Sequence, residues 1–99
     1  MNMQSIMAQA QKMQRDLQKK KDELNQQLFP GKSDWIEVVF NGNKELVSVK
    51  ILFTDPIAPD DHEMLADMFQ LAVKDSMKKI DAAFQEKMGA YAGMLDGLM

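Results

Sequence analysis

The chain has 99 residues, 45% of them hydrophobic and 27% charged, with a net charge of −3. That describes one small globular domain with too little chain to cover a large apolar surface by itself. It has no cysteine and a single histidine, which excludes disulfides, thiol catalysis and a metal site built from thiolates or paired imidazoles.

No apolar run approaches the roughly 18 residues that span a bilayer, and Met1-Asn2-Met3-Gln4 does not open a signal peptide, so a cytoplasmic protein is expected. The charge is unevenly spread. Residues 1–28 hold five basic groups and three acidic ones, for a local +2, which leaves −5 on the remainder. If any part of this chain meets a polyanion, the first segment is the place. The ten methionines suit adaptable packing in a helical core.

Residues 2–28 read as a long helix. Met3, Ala10, Leu17 and Leu24 recur every seventh position, with Ile6 and Met13 between them, and the seam weakens at Lys20 and Gln27. Phe29-Pro30-Gly31 is expected to stop the helix. Trp35–Phe40 reads as a strand with Ile36, Val38 and Phe40 on one face. Asn41-Gly42-Asn43-Lys44 is hairpin-turn chemistry, since Asn and Gly accept positive φ at little cost. Glu45–Phe53 then alternates, with Val47, Val49, Ile51 and Phe53 on one face and Ser48 and Lys50 on the other. Two strands alone are marginal, so a third is expected, and Gln26–Phe29 could supply a short one where the helix frays.

Asp55-Pro56 and Ala58-Pro59 lead into a second helix over about residues 60–90, followed by a glycine-punctuated tail over 91–99, mobile or used in a contact. Asp60, Asp61 and Glu63 suit the positive end of that helix. Its apolar residues spread over more than half the circumference, wider than one sheet requires. A symmetric homodimer is the simplest remedy, with Met64, Leu65, Met68, Leu71 and Ala72 as the expected interface.

The chain offers little for catalysis. His62 sits among acidic residues at a helix start, no glycine-rich phosphate loop occurs, and no nucleophile stands beside a base with a third group to orient it. An enzyme is not expected, nor a cofactor, a metal or a small-molecule substrate. The basic residues are better organised. Lys12, Arg15 and Lys19 fall within about 60° of one another on a helical wheel, opposite the seam, with Gln26 on the same side. Lys20 flanks the seam and Lys21 turns back toward it. Such a stripe suits contact with phosphate, which carries no sequence information by itself. Lys12 with Asp16 and Lys19 with Glu23 are also i,i+4 pairs of the kind found on any solvated helix, so this geometry alone leaves both readings open.

Met7-Ala8-Gln9-Ala10-Gln11-Lys12-Met13-Gln14 resembles the opening helix of the YbaB/EbfC family. Asn41-Gly42 and Ser48-Val49-Lys50-Ile51 resemble its hairpin and following strand, and Asp55-Pro56, Glu63-Met64-Leu65 with Asp67, and Glu86-Lys87-Met88-Gly89 resemble its second helix and that helix's end. The resemblance covers nearly the whole chain in order. It implies an α+β subunit of order α-β-β-β-α with an antiparallel sheet, paired into a tweezer-like homodimer. It also implies DNA binding at the bacterial nucleoid, sometimes with site preference, with roles in chromosome organisation, gene regulation or repair and partners among recombination or repair proteins. Carried onto this chain, the DNA-binding face would be Lys12, Arg15, Lys19, Lys20 and Lys21. One stretch departs from the family pattern: Phe29–Asp34 holds a single glycine where the family has a glycine-rich loop. The position of the first strand is therefore open, and Lys32 becomes an added candidate contact. The other reading from the residues is a protein-interaction dimer that uses the methionine-rich second helix and tail, with little or no DNA contact.

Overall fold

The computed structural model describes the backbone of residues 2–98 and the side chains of residues 2–89. Helix α1 (Met3–Gln26) is followed by strands β1 (Leu28–Lys32), β2 (Ile36–Asn41) and β3 (Leu46–Ile51). A 3-10 turn over Pro59–Asp61 then leads into helix α2 (His62–Leu98). The order is α-β-β-β-α, an α+β fold with one antiparallel sheet whose strands lie in the order β1-β2-β3.

Asn2 starts α1. Its backbone is extended, and its side-chain oxygen accepts from the Gln4 N–H at 3.0 Å, which satisfies one of the helix's open donors. The helix ends at Gln26, because Gln27 is extended while its N–H still reaches the carbonyls of Glu23 and Leu24. Pro30-Gly31 does not stop the helix as expected. Both residues lie inside β1, so the third strand sits at Leu28–Lys32 rather than Gln26–Phe29. Proline is tolerated there because β1 is an edge strand. Gly31 is required for a different reason: a Cβ on it would collide with the Ala72 carbonyl oxygen and the Ser76 backbone nitrogen of α2.

The hairpin forms at the expected residues by a different mechanism. Asn41 accepts on its side-chain oxygen from the N–H groups of Asn43 and Glu45 at 2.9 and 3.1 Å. The positive φ falls on Lys44, at 64°, and on neither Asn nor Gly. Gly42 serves close approach instead, since a Cβ there would strike the Leu24 carbonyl at the foot of α1. The β2–β3 register slips at Phe40, which pairs with Leu46 while Val39 pairs with Ser48. This bulge leaves Val47 unpaired and makes Leu46, not Val47, the partner of Phe40. Phe53 lies past the end of β3 and stacks on Trp35, which itself precedes β2, with ring centroids 4.3 Å apart.

The core lies between α2 and the sheet. Phe29, Ile36, Val38 and Phe40 from β1 and β2 meet Ala72 and Ile80 of α2, with Leu65, Met68, Val73, Met77 and Phe84 packed around them. Three α2 side chains tie down the backbone of β1. Buried Ser76 donates to the Phe29 carbonyl at 2.7 Å, Lys79 donates to the Pro30 carbonyl at 2.7 Å, and Asp75 accepts from the Lys32 N–H at 3.0 Å. That N–H, helped by the Lys79 ammonium and opposed by desolvation, holds the Asp75 carboxyl below its usual range. The β1 edge is thereby covered, and β3 is left as the open edge.

The molecule is elongated, 71 × 20 × 16 Å. Among the described residues of α1 only Leu24 is buried. Met13, Leu17 and Lys20 are half-buried, whereas Met3, Ile6, Met7 and Ala10 are exposed. The seam is therefore used near the sheet and open toward the amino terminus. Helix α2 passes Gly89, where the sequence suggested an end, and runs to Leu98. The expectation that 91–99 is mobile or used in a contact lies outside the residues whose side chains are described.

Candidate nucleic-acid interface

Lys12, Arg15 and Lys19 stand on one continuous helix, so backbone hydrogen bonding rather than loop conformation sets their spacing. All three are exposed, on the side of α1 opposite buried Leu24. Neither i,i+4 pair closes: no contact of Lys12 with Asp16 or of Lys19 with Glu23 occurs among the described residues, and the ion pairs Lys44–Asp81 at 3.8 Å and Lys79–Asp75 at 3.4 Å lie away from this stripe. Three cations are thus held about one helical turn apart without an intramolecular counter-ion in contact, which suits a backbone of repeated phosphates.

The other candidate cations are placed differently. Lys21 is exposed, but it is turned toward the seam side, and Lys20 is half-buried beside the seam. Lys32 is at the far end of β1, four residues and about 13 Å of strand beyond Leu28, opposite Glu37 of β2. The structure does not bring Lys32 to the α1 stripe. Lys44, in the hairpin turn, is paired with Asp81.

The residues expected at a dimer interface also separate. Ala72 is fully buried under β1, against Gly31, and is used within the single chain. Leu65 and Met68 are half-buried at the edge of the core. Met64 and Leu71 are exposed by 46% and 52%. The expected face is therefore divided, because α2 turns one part of its broad apolar arc onto its own sheet.

A more continuous apolar surface lies where sequence reasoning did not look. Every residue of β3 is exposed, since α2 covers β1 and β2 and stops short of the third strand. Beside β3 runs an open groove of about 360 Å³ lined by Ile36, Val49, Ile51, Leu65, Ala66 and Phe69, with His62 at its rim. The alternation of β3 was visible in the sequence; the absence of a covering helix was not. Among the described residues no cluster of three or more His, Asp or Glu could hold a metal ion, and no helix is long and apolar enough to cross a membrane.

A small antiparallel sheet backed by one long helix carries a second helix with three exposed cations on one face. The chain belongs to the YbaB/EbfC DNA-binding family, whose model matches residues 1–95. Among similar proteins, a nucleoid-associated protein of Ligilactobacillus salivarius is 43% identical, over 99% of this chain and 95% of its own. Nucleoid-associated proteins of Streptococcus uberis and Streptococcus thermophilus are 42% and 43% identical, each over 96% of this chain and 97% of its own.

Proposed function

We propose that this protein is a non-enzymatic, nucleoid-associated DNA-binding protein that grips duplex DNA as a symmetric homodimer, through phosphate contacts from the outer face of α1. The observation that carries the reading is the stripe of Lys12, Arg15 and Lys19, exposed and not closed onto Asp16 or Glu23. Membership of a DNA-binding family, and relatives named for the nucleoid, supply the polyanion. A chain of net charge −3 has to concentrate its positive field locally to approach DNA at all, and α1 is where it does so.

The open β3 edge supports the dimer. An exposed edge strand with aliphatic residues invites pairing with another chain, and a second copy seated on β3 and the adjoining groove would cover Val49, Ile51 and Phe69. Two copies present six cations from the stripe. Titrating binding to mixed-sequence DNA against salt should then give a log-log slope of about −5 if all six engage. A protein that binds DNA without salt dependence, or does not bind it, refutes this reading in favour of an interaction dimer acting through its apolar surfaces.

A further inference from the structure

Four of the seven side-chain amides of α1 repeat with the same period as its seam. Gln4, Gln11, Gln18 and Asn25 are seven residues apart, so they drift only about 20° per repeat and form a column along the helix. The column runs beside the cationic stripe: Gln11 precedes Lys12 directly and lies one turn before Arg15. Gln4, Gln11 and Gln18 are exposed. The Gln18 amide donates to the Asp22 carboxylate at 2.9 Å, which orients it and leaves its carbonyl oxygen as an acceptor. No hydrogen bond of the Gln11 side chain occurs among the described residues.

We infer that this column reads base edges: α1 lies in the major groove, with the cations on phosphate and Gln11 and Gln18 on adenine. The inference rests on the proposed DNA-binding reading and assigns the residues that would give it a sequence preference. A glutamine amide is a donor and an acceptor side by side, which matches the N6 and N7 of adenine, and no such match exists with phosphate oxygens alone. Seven residues of helix rise about 10.5 Å, close to three base-pair steps at about 3.4 Å each. A helix about 10–12 Å across fits a major groove about 12 Å wide. The competing account is that glutamine is simply a good helix former on a solvated face; it predicts no preference for any base.

The test is selection of bound duplexes from a pool with a randomised central segment, at fixed salt, using the full chain. The unmodified protein should enrich adenines spaced three base pairs apart. Gln11→Ala with Gln18→Ala should reduce that enrichment by roughly tenfold or more while affinity for unselected DNA and the salt slope stay close to the parent's. Gln11→Glu should move the preference at one position from adenine toward cytosine, whose N4 amino group a carboxylate can accept. Lys12→Ala with Lys19→Ala should weaken binding to every sequence and keep the preference. Salt-sensitive binding by the unmodified protein with no enriched sequence overturns this inference and leaves the phosphate reading standing. So does an unchanged preference in the double amide variant. Absence of salt-sensitive binding overturns both.

Discussion

At Gly31 the lack of a side chain sets how closely β1 approaches α2. The Ala72 carbonyl and the Ser76 nitrogen, both backbone atoms of a regular helix, occupy the space a Cβ would need. Gly31→Ala must push the strand away from the helix and strain the three bonds from Asp75, Ser76 and Lys79. Overpacking of this kind costs about 1–3 kcal/mol, and chemical denaturation should show a loss at or above that range. Asp75 adds a pH dependence of known sign. Its carboxyl is held below the ordinary value of 3.8, first by the Lys32 N–H. Its stabilising contribution is therefore complete above that ordinary value and is lost as pH falls below it, through the depressed pKa. Asp75→Asn should be less stable than the parent at neutral pH, and the gap should narrow in acid below about 3.8. A gap that is constant across that window would show that the ionised carboxylate contributes nothing there.

At the scale of elements, α1 is anchored at one end and uncovered over most of its length. Leu24 is buried beside the hairpin, whereas residues 3–12 are exposed throughout. Substitutions on the outer face of this helix should therefore change binding without changing the fold. Lys12→Ala, Arg15→Ala and Lys19→Ala combined should flatten the salt dependence of DNA binding and leave thermal stability nearly unchanged. Lys74→Ala with Lys78→Ala, on the side of α2 away from the sheet, serves as the control and should do much less. If the control abolishes binding and the triple variant binds normally, the interface lies on α2.

For the molecule as a whole, the proposed assembly rests on the open β3 edge. Light scattering should give about twice the 11.3 kDa chain mass at micromolar concentration. Val49→Asp puts a charge into the groove beside β3 and should release monomers, because a carboxylate covered by a second copy without a partner is costly. Leu71→Asp is the informative contrast. It is exposed and lies about 160° around α2 from Phe69 of the groove, so it should leave the dimer intact. The opposite ranking of these two variants would move the interface to the far flank of α2.

The sequence by itself determined what depends on near neighbours. The heptad seam and the cationic stripe of α1, the turn at Asn41–Lys44 and the inward face of β2 all follow from helix and strand periods, which are local properties of the chain. The ordered resemblance across the chain likewise led to the family. Only the tertiary structure decided that Pro30-Gly31 lies in a strand, because an edge position excuses the missing N–H and the close approach of α2 requires the missing side chain. It alone showed Leu46 opposite Phe40, since a bulge is a property of two strands together. It alone divided the apolar residues of α2 into those used within the chain, such as Ala72, and those left outside, such as Leu71. Which apolar residues remain exposed is set by partners more than 40 positions away along the chain, as Gly31 is from Ala72, and no local pattern carries that information.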